Sequence, residues 1–140
     1  MSGEKLKIVE EGWRATNCGD VDAVLDVMTD DVDFRPPSHR LDGITFRGHA
    51  GVRAWMERQA ESWSTLEGSP HELAAVGEHL VTAIDVQLIG RESGVRVNQR
   101  VFNVYTFREG KIAASIAYPS EREALDAVGL PAHDARVDSA

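Results

Sequence analysis

The stretch "HLVTAIDVQLIG" (His79–Gly90) decides how this chain folds. It is aliphatic and rich in β-branched residues, and it reads as a buried strand. A period of two puts Leu80, Thr82, Ile84, Val86 and Leu88 on one side and Val81, Ala83, Asp85, Gln87 and Ile89 on the other. One charge, Asp85, sits in the middle of it. A carboxylate there is either costly or useful.

The same period continues on both sides. From Pro70 onward it predicts strands at about 71–77, 79–90, 95–108 and 111–119. "ESG" (Glu92–Gly94) and "EG" (Glu109–Gly110) supply the tight turns of a meander. Before Pro70 the period is helical. "EKLKIVEEGWRATN" (Glu4–Asn17) carries Leu6, Ile8, Val9, Trp13 and Thr16 on one stripe, and Gly19 ends it. Asp20 caps a second helix, "VDAVLDVMTD" (21–30), and "DVDFRPP" (31–37) reads as a short strand broken by prolines. The loop "SHRLDGITF" (38–46) leads into a third helix over Arg47–Trp63, with Val52, Trp55, Met56 and Trp63 on its inner face. A short last helix starts at Ser120, with Glu123 completing a capping box, and stops at Gly129 and Pro131. The expected architecture is therefore α+β: three helices laid against an antiparallel sheet, one domain over 1–130, and a loose tail over 131–140.

Composition narrows the function. The 140 residues suit one domain, with 42% hydrophobic and 27% charged residues. The formal net charge is −8 and no basic cluster offsets it, which argues against nucleic acid and anionic membranes as partners. Cys18 is the single cysteine, so neither an internal disulfide nor a cysteine-based metal site is expected. The start of the chain has no apolar run fit for a signal peptide, and no window approaches a membrane span, so a cytoplasmic protein is expected. No histidine pair has metal-ligand spacing, and no phosphate-binding, dinucleotide or nucleophile-elbow motif occurs, so neither metal nor cofactor is expected.

Three segments taken in order, "NCGDVDAVLDVMTDDVDFRPP", "FRGHAGVRAWM" and "FNVYTFREGKIAASIAY", resemble the nuclear transport factor 2-like superfamily and, within it, the SnoaL-like branch. The resemblance covers about residues 4–128. It implies a cone-shaped α+β barrel, with a strongly bent sheet wrapped around the helices and a pocket at the open end. It also implies a homodimer through the outer sheet face. The superfamily holds isomerases, cyclases, hydrolases and plain binding modules, so fold alone leaves function open.

Carried over position by position, the ketosteroid isomerase pattern puts its tyrosine at Gly12, its base at Pro36 and its acid at Asn103. The site for that reaction is not retained. The limonene epoxide hydrolase pattern matches Asp85 to its first aspartate, but places Ala83 at its arginine and Ala117 near its second aspartate. The SnoaL-type cyclases need one acid/base carboxylate in an apolar pocket, a role open to Asp85 with a burial-raised pKa. The resemblance therefore implies Asp85 as acid/base, Asn103 as an orienting or oxyanion donor, and His39 or Tyr118 as helper. The pocket wall is expected from Trp13, Phe34, Trp55, Met56, Trp63, Gln99, Val101, Tyr105, Ala117 and Tyr118. The ligand is expected to be a hydrophobic small molecule of polyketide or terpenoid type. The activity is expected to be cyclase, isomerase or hydrolase, with a non-catalytic binding or dimerisation module as the alternative. Periodicity alone leaves a second seat for Asp85, on the outer sheet face against an arginine of a neighbouring strand or of a partner subunit.

Overall fold

A computed structural model describes residues 2–130. The chain runs α1 (Ser2–Cys18), α2 (Val21–Asp26), β1 (Met28–Arg35), α3 (His39–Asp42), β2 (Phe46–Arg47), α4 (Gly48–Ser62), β3 (Trp63–Val76), β4 (His79–Gly90), β5 (Arg96–Arg108), β6 (Lys111–Tyr118) and α5 (Glu121–Ala127). The strands form one six-stranded sheet in the order β2-β1-β6-β5-β4-β3. It is curved and does not close, leaving β2 and β3 as edges. This is the expected α+β cone.

Local chemistry explains the joints. α1 stops where Gly19 takes φ 74°, and the Asp20 amide then donates back to the Ala15 carbonyl at 2.9 Å. The Asp20 carboxylate in turn accepts from the Ala23 amide at 3.2 Å and starts α2. At the far end, the Ser120 hydroxyl accepts from the Glu123 amide at 3.2 Å and caps α5.

Four expectations are corrected. The second helix stops at Asp26, and Met28 already belongs to β1, where Met28 and Val32 are buried in the core. Burial within the sheet overrides the helical spacing there. β1 also runs parallel to β6, while the other pairings are antiparallel. A parallel pair needs a long crossover, and the 75 residues between Arg35 and Lys111 provide one. Finally, β3 starts at Trp63 rather than near residue 71. The helix passes straight into a strand, because Trp63 adopts φ −125° and ψ 131°. Gly68 and Pro70 hid this strand from propensity, yet an edge strand tolerates both. The loop expected at 38–46 also contains the single turn α3.

The core lies between the helices and the inner face of the sheet, around Val9, Val32, Val52, Leu80, Ile84 and Ile112. A smaller cluster on the outer face joins Val81 and Val104 to Ala124 and Leu125 of α5. That helix covers one end of the outer face, and the rest of that face is polar and open. Bulges interrupt β3 against β4 and β5 against β6, and bulges of this kind bend a sheet. The expected tail over 131–140 lies outside the described residues. Among the described residues no helix is long and apolar enough to cross a membrane.

Candidate functional site

A cavity of about 370 Å³ lies between the helices and the inner face of the sheet. That size falls within the range of roughly 300–1,000 Å³ usual for small-molecule sites. Each element contributes a stripe. α1 brings Val9, Gly12, Trp13 and Thr16, a spacing that keeps them on one helix face. α4 brings Val52, Trp55 and Gln59 by the same rule, and β1 brings Phe34. Phe34 meets Trp55 edge-on, with ring centroids 4.9 Å apart. Pro36, Pro37 and Ser38 follow β1 along the rim.

The sheet forms the opposite wall. Register pairs Val86 with Gln99 and Leu88 with Val97, so the apolar side of β4 and the Asn103 side of β5 share the inner face. Val101, Asn103 and Tyr105 line the wall from β5. From β6 come Ile112 and Ser115. The bulge between Thr106 and Phe107 brings Ile112 inward where strict alternation would put Ala113.

The polar content of this cavity centres on Tyr105, which is 4% exposed. Its hydroxyl oxygen accepts from Trp13 Nε1 at 3.1 Å and from Asn103 Nδ2 at 3.2 Å. Burial pushes the phenol above its ordinary 10.0, and hydrogen bonds from Asn103, Trp13 and Ser115 partly oppose that rise. Tyr105 is therefore a neutral phenol near pH 7. Asn103 is 7% exposed, and its Oδ1 has no hydrogen-bond partner among the described residues. Among the described residues the lining otherwise contains no aspartate, glutamate, histidine, lysine or arginine.

Asp85 lies elsewhere. It sits on the outer face, opposite Arg100 on one side and Ser69 on the other. Arg100 grips it through Nε at 2.8 Å and Nη2 at 3.2 Å, and His71 Nε2 stands 3.2 Å from Oδ2. The Arg100 hydrogen bond holds its carboxyl below the ordinary 3.8, with desolvation opposing and the charges of Arg100 and His71 assisting. The pocket seat and the raised pKa expected for Asp85 are therefore both corrected. Half its side-chain surface meets solvent, and an arginine two-point contact satisfies the charge.

The other expected residues divide. Trp13, Phe34, Trp55, Trp63, Gln99, Val101, Asn103 and Tyr105 all line the cavity. Met56 does not, being packed into the core behind it. Ala117 pairs with Asn103 but lies outside the lining. Tyr118 pairs with Phe102 and packs in the outer cluster under α5. His39 sits on α3 with its Nδ1 2.9 Å from the Ile44 carbonyl, and the rim is made by its neighbours Pro36, Pro37 and Ser38 instead. Gln59 was missed, although its place four residues after Trp55 puts it on the same helix face. Among the described residues no group of three or more His, Cys, Asp or Glu side chains could hold a metal ion.

Known proteins extend this picture. The family model of the SnoaL-like domain matches residues 9–115. The chain belongs to the SnoaL-like domain family. Three solved structures show how widely this fold is shared. A nuclear transport factor 2-like protein of unknown function from Burkholderia pseudomallei K96243 superposes with TM-score 0.72 at 19% identity, covering 90% of this chain and 98% of that one. TerC, co-crystallised with polyporic acid, gives TM-score 0.71 at 17% identity over 89% and 97% of the two chains. A candidate polyketide cyclase from Xanthomonas campestris pv. campestris gives 0.71 at 19% over 91% and 98%. At these identities the likeness is one of fold. No curated protein sequence matches the chain. In this SnoaL-like domain the three positions that the isomerase pattern singles out, Gly12, Pro36 and Asn103, all line the cavity. Only Asn103 among them carries a polar side chain.

Proposed function

We propose that this SnoaL-like domain binds a small, largely apolar molecule in the cavity between its helices and its sheet. The observation that carries the reading is the lining itself: aromatic and aliphatic walls, a few uncharged polar groups, and one neutral phenol as the sole ionisable group among the described residues. Such a surface favours an uncharged ligand, because a charge there would lose its water without gaining a partner. Burial of apolar ligand surface supplies the affinity and the few polar groups fix its orientation. Titration with small terpenoid and aromatic probes, followed by fluorescence of Trp13, Trp55 and Trp63, tests this. Saturable binding that Val101→Trp abolishes is expected. Binding unaffected by that filled cavity would place the ligand elsewhere.

A second reading, a cofactor-independent cyclase, isomerase or hydrolase acting on a polyketide- or terpenoid-like substrate, is favoured by one observation. The Tyr105 oxygen accepts from Trp13 and Asn103 together, which polarises its own O–H and suits it to donate to a substrate carbonyl. Asp85 has no part in this scheme. Turnover that survives Tyr105→Phe intact would remove it.

The same reading includes a homodimer across the open, polar part of the outer sheet face, where Asp85, Arg100 and His71 offer charges of both signs. Arg100→Glu is expected to shift the sedimentation profile toward monomer. The free thiol of Cys18 suits a reducing, cytoplasmic setting, which fractionation of cells checks.

A further inference from the structure

We propose that the turn over residues 38–44 is a lid, which carries Leu41 onto the mouth of the cavity once an apolar molecule has entered. The inference rests on the reading of the cavity as a ligand site and adds its closure. Three lining residues, Pro37, Ser38 and Gln99, are themselves exposed, and so they mark the mouth. The first two lead directly into α3. On that segment Leu41 is 92% exposed, more than any other large hydrophobic side chain among the described residues, and Ile44 is exposed too. A lone exposed leucine is ordinary on a protein surface. This one stands on the same side of its turn as a residue of the mouth. Its amide donates to the Ser38 carbonyl at 2.9 Å. Positions three apart on a helical turn share a face, with Cβ atoms roughly 5–6 Å apart.

The segment is built to move as one piece. Buried Pro36 and buried Phe46 hold its ends, and no side chain between them is buried. Its hydrogen bonds close within it. The His39 amide donates to the Pro36 carbonyl at 2.9 Å, the Asp42 amide to the Ser38 carbonyl at 3.1 Å, and the Gly43 amide to the His39 carbonyl at 2.7 Å. The Asp42 carboxylate accepts from the Ile44 amide at 2.9 Å, and His39 Nδ1 lies 2.9 Å from the Ile44 carbonyl. Among the described residues its one side-chain bond to the rest of the fold joins Arg40 to Glu123 at 3.5 Å, where both side chains are about half exposed. So exposed an ion pair is a weak tether. A turn of this kind swings about its two ends and keeps its own bonds. Its rest position follows from the solvent. Before a ligand enters, the mouth offers Leu41 only water, which it already has. A bound apolar molecule gives Leu41 a surface to cover, so closure gains apolar contact only in the loaded protein.

The test follows release of a probe. N-phenylnaphthylamine, an uncharged apolar fluorophore, is loaded into the intact protein and then mixed with excess cyclodextrin, which traps what leaves. Leu41→Ser is expected to release the probe about tenfold faster than wild type, with association little changed. Leu41→Met keeps the apolar bulk and is expected to release it as slowly as wild type. In the loaded wild type the Leu41 methyl resonances are expected to show nuclear Overhauser contacts to the probe. Equal release from Leu41→Ser and wild type, or methyls without such contacts, overturns the lid, and saturable uptake of the probe leaves the cavity site standing. A wild-type protein that takes up no probe overturns the cavity reading and the lid together. Leu41 is exposed in the free protein, so Leu41→Ser is expected to keep the wild-type Tm. A lowered Tm would mean that Leu41 already packs without ligand, and would overturn the open position from which the lid closes.

Discussion

Tyr105 and Asp85 reverse the roles that their residue types suggest. The carboxylate is a surface partner of Arg100, and the phenol is the buried polar centre. Tyr105→Phe removes the oxygen that Trp13 and Asn103 share, leaving one buried and one half-buried N–H donor unmet. A loss of roughly 1–3 kcal/mol in chemical denaturation is expected. Because folding raises the phenol above its unfolded 10.0, the folded state keeps its proton where the unfolded state loses it. Wild-type stability therefore falls as pH climbs past about 10, and the Phe variant lacks that component of the slope. For Asp85 the sign is opposite. Its depressed folded value gives stability that is present above 3.8 and is lost as pH falls through the folded value. Asp85→Asn is expected to flatten that acid limb and to leave ligand affinity unchanged. A weaker ligand constant in this variant would argue for a link between the two faces. Much of this was legible. Eight of the named residues line the cavity, because helix stripes and strand alternation are strong signals. The seat of Asp85 was not decided, since period two separates faces without saying which is inner. The pairing with Arg100, set by the turn near Glu92–Gly94, decides it.

At the scale of elements, the long edge strand β3 shows what composition hides. "WSTLEGSP" is polar, with glycine and proline near its end, and it reads as a connection. It is a strand because β4 offers it a complete ladder and α1 packs across it. Gly68 is the point of closest approach: a Cβ there would run into the Trp13 ring, and its amide donates to Asn17 Oδ1 at 3.0 Å. Gly68→Val is expected to cost about 1–3 kcal/mol and to displace Trp13 from Tyr105. A matching shift of the Trp13 indole N–H resonance checks it. The strands β4, β5 and β6 were legible to within a residue or two, since each combines alternation with a glycine turn. The end of α2 was not, since Val27, Met28 and Thr29 continue a helical pattern that only burial beside β6 breaks.

At the scale of the molecule, the general architecture followed from the order of helical and strand periods together with the resemblance. What no local pattern could announce was where β6 lands. It inserts between β1 and β5, and so joins the N-terminal pair β1-β2 to the meander β3-β4-β5. During synthesis, then, the first 110 residues hold two unconnected halves of a sheet. The cavity has no continuous wall until Lys111–Tyr118 has been made and threaded into the gap. Closure of so long a loop is slow, and the waiting edges of β1 and β5 are exposed meanwhile. Nascent chains stalled before residue 111 are expected to remain protease-sensitive, and those released past α5 to gain resistance in one step. A sheet whose last strand is its keystone can wall a cavity only after that strand has been made, so the order of synthesis sets when the cavity can form.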